Sequence, residues 1–309
     1  MLRILKPGLQ TSLQDGGRMG WMQYGIARGG AADPVAMRLA NSLLRNPAGH
    51  PCLEVTLTGP ELEFTADLSI AICGARFALT HNGCSVDNNC VIQIRKGDVL
   101  QFGPLQSGAR AYLAFAAEPQ LAAVFDSFST YLQAGFGGVR GRSLRAGDQI
   151  PLQNCRREKS RQLADGYQLK YTGRPQLRVI DGAEAGLFAR DQRELFYRTA
   201  YRVSPQSNRM GIRLQGDTLN TEGLPQMTSS GLCPGTVQIP PDGQPIISFV
   251  EGQTIGGYPR LAHVISADQH LLAQLKPRDK LDFQRVDLET AVRILCDKTA
   301  LLARLDTQS

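Results

Sequence analysis

The sequence predicts a mainly β protein with a few short helices, built as two tandem β-rich domains. Three observations lead to this prediction. Many short apolar runs lie between turn signals, several early segments resemble later ones, and 309 residues exceed the usual size of a single domain. Repeated segments at a nearly constant spacing favour an internal duplication.

The first half of the chain contains most of the strand candidates. Leu2–Leu5 is the first, and Pro7 and Gly8 end it. Asp33 then precedes a proline, which is typical of a helix start, and apolar residues recur on one face from Pro34 to about Leu44. Further short strands follow, separated by turn signals: Leu53–Leu57, Glu61–Phe64, Leu68–Ile72, Val91–Ile94, Val99–Phe102 and Ala111–Phe115. This pattern is typical of a β-barrel or a β-sandwich.

Three pairs of segments indicate the repeat. Leu2–Leu5 resembles Leu177–Ile180, Met37–Asn41 resembles Ile212–Gly216 at the same spacing, and Lys96–Phe102 resembles Pro277–Phe283 at a slightly larger one. We therefore predict a first domain over residues 1–165 and a second over residues 166–309, joined within the polar segment near Asn154–Tyr171.

Composition and charge disfavour several classes of protein. A hydrophobic content of 42% and a charged content of 20% are typical of a soluble globular protein. The net charge is +6, and the basic residues are scattered along the sequence. The one dense basic cluster, Arg156–Arg161, is better explained as a solvated linker, so no nucleic-acid partner is expected. The sequence has neither a long apolar span nor an apolar signal core, which favours a cytoplasmic protein without a membrane role.

The cysteines and histidines do not form a recognisable metal or disulfide pattern. The seven cysteines contain no Cys-x-x-Cys pair, and the four histidines are not placed as zinc ligands on one helix face. We therefore expect reduced thiols and no metal site.

One stretch predicts a small-molecule site. The apolar run Pro245–Val250 has the composition of a buried strand, and it leads into the polar turn Glu251–Pro259. The glycine pair Gly256-Gly257 permits positive φ and lets a ligand or another backbone come close. The turn also supplies an amide, a hydroxyl and a phenol, from Gln253, Thr254 and Tyr258. The alternative is a plain turn whose polar residues satisfy their own backbone.

A second polar loop, Val203–Gly211, precedes a segment that is expected to pack in the core, as Ala27–Asp33 does in the first half. In the second loop Asn208 offers an amide and Arg209 a planar fork that suits a carboxylate or a phosphate. Unless the loop lies near the Glu251–Pro259 turn, Arg209 is better interpreted as a surface charge.

Several motifs in one order resemble a known family. They are Thr11–Arg18, Gly30–Pro34, Arg38–Asn41, Leu53–Thr56, Ser207–Leu214 and Gln253–Pro259. Together they resemble the KipA family, which includes the second subunit of allophanate hydrolase and the C subunit of 5-oxoprolinase and is related to part of the carboxyltransferase region of urea amidolyase. The resemblance extends from about Leu2 to Phe283.

The resemblance implies two tandem cyclophilin-like β-barrel domains in a protein that works with a KipI-like partner subunit. In bacterial 5-oxoprolinase a LamB/YcsF-like protein joins them, and the complex opens the lactam of 5-oxoproline to glutamate with hydrolysis of ATP. ATP is therefore the expected cofactor, bound at or shared with the partner subunit. The sequence contains no Met-Lys-Met biotin acceptor, so no biotin is expected on this chain.

The chemistry implied by the family also suggests roles for the polar residues. Activating a lactam carbonyl needs cations and amide donors that stabilise negative charge, whereas no Gly-x-Ser-x-Gly nucleophile motif occurs. We expect catalytic roles for Arg209, Gln253 and Tyr258. The expected substrate-binding residues are Asp15, Asp33, Asn208, Thr254, Gly256 and Gly257.

The sequence departs from the family pattern at several positions. These include Ala32, Phe128, Glu251, Ile255 and Arg278, where the family usually has methionine, arginine, aspartate, threonine and glycine. Two other functions therefore stay open. One is biotin-dependent carboxyl transfer or urea-type amide chemistry, and the other is a non-catalytic module that binds a KipI-like inhibitor of a sensor kinase.

Overall fold

The computed structural model describes residues 1–307, which form two compact units. The first unit contains Met1–Met19, Gly29–Tyr171 and residues 304–307, and the second contains Gly20–Arg28 and Thr172–Ala303. The domain boundary between residues 165 and 166 stays a prediction. Within the described chain, no helix combines the length and the apolar character that a membrane crossing requires.

The first unit is built mainly of strands. They are β1 (Leu2–Lys6), β2 (Gln10–Gln14), β3 (Cys52–Thr56), β4 (Glu61–Phe64), β5 (Leu68–His81), β6 (Cys84–Val86), β7 (Val91–Ile94), β8 (Val99–Phe115), β9 (Glu118–Pro119), β10 (Gln149–Ile150) and β11 (Leu152–Gln153). One 3₁₀ turn, Asp165–Tyr167, follows them. Strands β9 and β11 pair separately, and the others form one curved sheet.

The two longest strands, β5 and β8, bend together and give the sheet its curvature. The sheet runs in the order β10-β1-β4-β8-β3-β2, and β5 pairs with β8, β6 and β7. The register between β5 and β8 shifts after Gly74, whose φ is 98°. A Cβ at Gly74 would lie 2.6 Å from the Arg110 carbonyl oxygen, so only glycine fits this bend. The sheet encloses an apolar core that includes Phe64, Ile72 and Leu113.

Helix α1 (Pro34–Leu43) packs on β5 and β8. Its start follows from the sequence, because Asp33 Oδ1 accepts a hydrogen bond from Ala36 N at 2.8 Å and satisfies one of the free amides of the first turn. Leu39 and Leu43 lie on its buried face. The helix predicted in this segment is confirmed.

The second unit contains the remaining strands and, in the described part of the chain, two helices and most of a third. The strands are β12 (Gln176–Asp181), β13 (Tyr201–Val203), β14 (Gly211–Gln215), β15 (Ser230–Gly231), β16 (Thr236–Gln238), β17 (Ile246–Ser248), β18 (Ile255–Gly256), β19 (Arg260–Val264) and β20 (Lys280–Arg285). The helices are α2 (Arg190–Arg198), α3 (Gln269–Leu272) and α4 (Leu288–Thr307), and the 3₁₀ turns are Met22–Tyr24 and Ala185–Leu187. Neither α2 nor α4 was predicted from the sequence.

The second unit closes into a barrel. Its strands run in the order β12-β19-β16-β17-β14-β13-β20, and parallel pairing of β20 with β12 completes the ring. Three aromatic residues pack together in one part of the core. The Phe196 ring of α2 stacks on Phe283 at 4.6 Å, and the Tyr201 ring lies 5.7 Å from Phe283. Strands β15 and β18 form a separate two-stranded ribbon.

The predicted mainly β architecture with two tandem β-barrel-type units is confirmed, but one of the three repeat matches is wrong. Met37–Asn41 lies in α1, whereas Ile212–Gly216 covers most of β14. The physical reason is that buried residues recur at a different spacing in the two segments. Apolar residues of α1 recur every four positions after an N-cap, whereas buried Ile212 and Leu214 alternate with exposed residues.

The other two matched pairs adopt the same structure in both units. Leu2–Leu5 and Leu177–Ile180 lie in β1 and β12, and each segment of the later pair is a turn that leads into a strand, β8 or β20. In the second of these turns Arg278 has a φ of 78°, the left-handed region in which glycine is least strained. An arginine at this position therefore costs local backbone strain.

Candidate functional site

A cavity of about 330 Å³ opens in the second unit near the ends of β14 and β17. Its polar lining consists of Asn208, Arg213, Gln238, Ser248, Gln253 and Tyr258. Met210, Leu232 and Ile246 supply apolar contact area, and Gly211, Gly256 and Gly257 complete the lining. A volume near the lower end of the roughly 300–1,000 Å³ range of ligand sites suits a small molecule.

The two polar loops singled out by the sequence are neighbours in the structure. Strands β14 and β17 pair in antiparallel register, which places the chain before β14 beside the chain after β17. Phe249 N donates to Met210 O at 3.0 Å, and Glu251 N donates to Arg209 O at 2.8 Å. Backbone pairing therefore holds both loops at one side of the cavity.

Arg209 does not line the cavity. Its side chain is 3% exposed and its Nε donates to Glu251 Oε1 at 2.5 Å, while the Glu251 side chain is 1% exposed. A buried ion pair of this kind links the two loops beneath the cavity wall. The guanidinium was expected to meet a ligand carboxylate or phosphate, whereas here it binds a protein carboxylate. Its catalytic role stays a prediction.

Asn208, Gln253 and Tyr258 do line the cavity and are exposed. The Asn208 Oδ1 atom accepts hydrogen bonds from Met210 N at 2.8 Å and Gly211 N at 3.3 Å, which fixes the loop as an Asx turn. Its Nδ2 and the whole Gln253 amide make no hydrogen bond within the described chain. These two amides are therefore available to a ligand.

Thr254, Gly256 and Gly257 belong to the ribbon beside the cavity. Leu232 N donates to Thr254 O at 2.8 Å, and the Thr254 side chain is not part of the cavity lining. Neither glycine adopts positive φ, so this part of the reason expected for the glycine pair is wrong. A Cβ at Gly256 would lie 2.5 Å from Leu232 Cδ1, which shows that close packing of the ribbon requires glycine there.

Arg213 is a cavity residue that was not predicted from the sequence. It lies on β14 between buried Ile212 and Leu214, and its side chain is exposed and lines the cavity. The alternation of β14 was a usable signal, because residues Gly211 and Arg213 must face away from the barrel core. Arg213 lies four residues after Arg209, outside the Ser-Asn-Arg motif.

Asp15, an expected substrate ligand, lies in the first unit and is almost fully buried. Its carboxylate accepts hydrogen bonds from Gly17 N at 2.8 Å, Ser127 Oγ at 2.6 Å, Phe128 N at 2.6 Å and Ser129 Oγ. Four internal donors occupy the oxygens, so the carboxylate acts as the centre of a loop cluster.

Asp33, the other carboxylate expected to bind substrate, is also buried in the first unit. Besides capping α1, it accepts a hydrogen bond from Tyr171 OH at 2.9 Å. Tyr112 OH accepts from Asp33 N and donates to buried Glu54, each at 2.7 Å. Burial, reinforced by the nearby carboxylates, raises the pKa of both tyrosines, so their hydroxyls stay protonated donors.

Two arginine–carboxylate pairs of the second unit do not line the cavity. Arg260 binds Glu184 through two hydrogen bonds and lowers the pKa of that carboxyl, while Arg178 binds Asp268 in the same bidentate manner. Over residues 1–307, no three His, Cys, Asp or Glu side chains are grouped as metal ligands.

The chain is similar to known proteins over nearly its whole length. A family model described as carboxyltransferase domain, subdomain A and B, matches residues 24–285. The chain is 38% identical over 312 residues to the 5-oxoprolinase C subunit of Escherichia coli, covering 99% of this chain and 97% of the relative. Identity to the 5-oxoprolinase C subunit of Haemophilus influenzae is 34% over 294 residues, covering 95% and 94%.

A solved structure supports the same relationship. The crystal structure of K. lactis urea amidolyase matches with a TM-score of 0.92 and 25% identity over 98% of this chain. The chain corresponds to 20% of that much longer protein. The similarity therefore concerns one part of urea amidolyase.

Proposed function

The chain belongs to the family of carboxyltransferase domains, subdomains A and B, and from this premise we propose that it is one component of an ATP-dependent 5-oxoprolinase. In this proposal the cavity of the second unit binds 5-oxoproline. The observation that carries the proposal is the lining of that cavity, in which a cation and the amide donors of Asn208 and Gln253 surround a small volume. Near full-length similarity to the E. coli 5-oxoprolinase C subunit supports the choice of substrate.

The lining suits each functional group of 5-oxoproline, a five-membered lactam with one carboxylate. The Arg213 guanidinium binds the carboxylate, since a planar fork matches its two oxygens. Asn208 Nδ2 and the Gln253 amide supply donors to the lactam oxygen, and the Gln253 carbonyl can accept from the lactam N–H. Met210 and Leu232 cover the apolar ring carbons.

The chemistry requires activation of the lactam, because an amide carbonyl is a weak electrophile. Transfer of the terminal phosphoryl group of ATP to the lactam oxygen forms an O-phosphorylated intermediate and releases ADP. Water then adds to the activated carbon and the carbon–nitrogen bond of the ring breaks, which leaves the acyl phosphate of glutamate. A second water cleaves this acyl phosphate and releases glutamate and phosphate. Asn208 and Gln253 orient the lactam for phosphoryl transfer, and their amides can stabilise negative charge on oxygen when water adds to the activated carbon. Tyr258 borders the same cavity and contributes a phenolic donor.

ATP itself is better placed on a partner protein. Among the described residues that line the cavity, Arg213 carries the only positive charge, whereas a triphosphate is usually held by several cations or a glycine-rich phosphate loop. We therefore assign the ATP site to the KipI-like partner or to the LamB/YcsF-like partner. This chain then contributes the substrate pocket.

Reconstitution tests the proposal. The chain is mixed with its KipI-like and LamB/YcsF-like counterparts, and release of ADP and glutamate is measured with and without 5-oxoproline, omitting each protein in turn. We expect turnover only when all three proteins and 5-oxoproline are present. A stable complex that never releases glutamate from 5-oxoproline would overturn the proposal.

A second candidate function follows from the similarity to urea amidolyase. In this alternative the same cavity accepts a carboxyl group from a carboxylated biotin that is attached to another chain. The test supplies carboxylated biotin carrier and urea, and it measures loss of the carboxyl group from biotin. Urea-dependent transfer without activity on 5-oxoproline would favour this alternative.

A further inference from the structure

A cysteine and a histidine of the second unit lie close together and have no part in the proposed function. Cys233 is exposed, and its Sγ lies 4.0 Å from Nδ1 of His263. His263 is on β19 directly opposite Thr236 of β16, so sheet register holds the imidazole in place. We propose that Cys233 is a modification site, a thiol that His263 activates for reaction with peroxides and other small soft electrophiles.

Hydrogen bonds around the pair prepare His263 Nδ1 to accept the thiol proton. Thr236 Oγ1 donates to Cys233 O at 2.9 Å, and it lies 3.3 Å from His263 Nδ1. When Nδ1 takes the thiol proton, its new N–H can donate to Thr236 Oγ1, whose own hydrogen already points to Cys233 O. The protonated imidazole therefore has an acceptor, and the thiolate forms beside it.

The electrostatics permit His263 to act as a base. Burial lowers the pKa of His263, so the imidazole is neutral at neutral pH and its lone pair can accept a proton. The charged groups near this turn are Arg260, whose Nη1 donates to Gly231 O at 3.2 Å, and Glu184. Glu184 pairs with Arg260. The Cys233 sulfur lies 3.6 Å from Thr236 Oγ1 and 4.0 Å from His263 Nδ1, and of these two contacts the imidazole is the base.

The turn is also held in shape around the sulfur. Gln269 Nε2 donates to Pro234 O at 2.9 Å, and Thr236 N donates to Cys233 O at 3.2 Å. A fixed turn keeps the thiol near the imidazole and spares the entropy of ordering it for each reaction.

Other cysteines of the same chain provide internal controls. Cys52 and Cys73 are buried, and burial raises the pKa of both thiols well above the usual range, which makes them unreactive. Cys84 and Cys296 are exposed like Cys233. Neither sulfur lies within hydrogen-bonding distance of a histidine nitrogen in the part of the chain described here. Cys296 measures the rate expected from exposure alone. Cys84 has His81 directly opposite it on β5, with Nε2 bound to Asp98, so it measures the rate beside a histidine that does not contact the sulfur.

Two reactions of the thiolate are defined. With hydrogen peroxide, sulfur attacks one oxygen, the oxygen–oxygen bond breaks, hydroxide leaves, and sulfur is oxidised by two electrons to a sulfenic acid while peroxide is reduced. A small thiol such as glutathione then displaces water and leaves a mixed disulfide. With iodoacetamide, a carbon–sulfur bond forms and iodide leaves. In each case His263 Nδ1 takes the thiol proton.

The test measures labelling of each cysteine in the folded full-length chain. Limiting iodoacetamide is added at pH 7, the reaction is quenched, and mass spectrometry of peptides gives the rate at every thiol. We expect Cys233 to react about tenfold faster than Cys84 and Cys296. The rate at Cys233 should also fall less steeply than theirs as the pH is lowered from about 8 to about 6.5, because His263 replaces hydroxide as the base.

Substitution of His263 separates the effect of the base on the Cys233 labelling rate from the effect of exposure. His263→Gln should reduce labelling of Cys233 to the rate of Cys296 and leave Cys296 unchanged, and an unchanged circular dichroism spectrum shows that the fold is retained. As a second variant, Thr236→Val should lower the Cys233 rate by a smaller factor.

With limiting peroxide and glutathione, the mixed disulfide should form mainly at Cys233. Equal rates at the three exposed cysteines, or an unchanged Cys233 rate in His263→Gln, would overturn the proposal. None of these measurements needs 5-oxoproline, so the result is independent of the proposed function.

Discussion

The polar residues before α1 in the first unit and before β14 in the second unit have opposite environments. In the first unit the loop before α1 ends in Asp33, which is buried and bound by internal donors, as is Asp15. In the second unit the loop before β14 presents Asn208 to a cavity, and the strand itself presents Arg213. Similar residue types therefore organise structure in one unit and face a ligand-sized space in the other.

The difference shows that burial decides which polar groups can serve a ligand. A carboxylate with four internal donors has little left to offer a substrate, whereas an exposed amide or guanidinium at a cavity wall keeps N–H donors for a ligand. Arg209 is the informative exception, because it belongs to the second unit but behaves like the buried groups of the first.

The largest effect is expected for Arg209→Met. Removal of the guanidinium leaves the Glu251 carboxylate buried without this partner, and we expect the free energy of unfolding to fall by about 3–5 kcal/mol. The double variant Arg209→Met/Glu251→Met should recover most of this loss, as urea unfolding followed by circular dichroism would show. If the stable double variant also loses turnover of 5-oxoproline, Arg209 has a role beyond structure.

A slightly smaller loss is expected for Asp15→Ala in the first unit. Ser127 Oγ, Ser129 Oγ and two backbone amides lose their acceptor, which we expect to cost about 3 kcal/mol. Asp15→Asn, which retains one carbonyl acceptor, should cost less in the same unfolding measurement. Binding of 5-oxoproline, measured by calorimetry below the unfolding transition, should not change in either variant. Loss of binding in a folded Asp15→Ala protein would show that the contrast between the units is wrong.

Arg213→Ala should affect substrate binding and leave stability nearly unchanged. Loss of a charged hydrogen-bond donor to the substrate carboxylate is expected to raise the KM for 5-oxoproline about tenfold to a hundredfold. The free energy of unfolding should stay within about 0.5 kcal/mol of the parent, because the side chain is exposed. Arg202→Ala is the matched control, since Arg202 is exposed on the adjacent β13 and does not line the cavity. Equal KM values for the two variants would remove Arg213 from the site.

The smallest effect is expected for Ile255→Thr, which introduces the hydroxyl that the family resemblance implies at this position. Ile255 is 61% exposed and does not line the cavity. We expect activity to stay within about twofold of the parent, because surface substitutions of this kind change free energies by only about 0.5 kcal/mol. Steady-state kinetics with 5-oxoproline check this. A large gain in activity would mean that the ribbon containing β18 contacts the substrate during turnover.

The sequence predicted those features that depend on residues close together in the chain. The cap and apolar face of α1 lie within about three turns of helix, and the polar turn after β17 follows an apolar run directly. The mainly β class was predictable for the same reason, because alternation and turn residues are local signals. The exposed face of β14 was equally local, although it was not recognised from the sequence.

Only the tertiary structure decided which polar residues are buried and which face the cavity. Asp15 is bound by Ser127 and Ser129, more than a hundred residues away, and Arg209 is bound by Glu251 from a separate loop. No local pattern specifies such partners, because they depend on how distant segments pack. A motif can therefore identify a loop in the sequence, but the burial of each side chain determines its role.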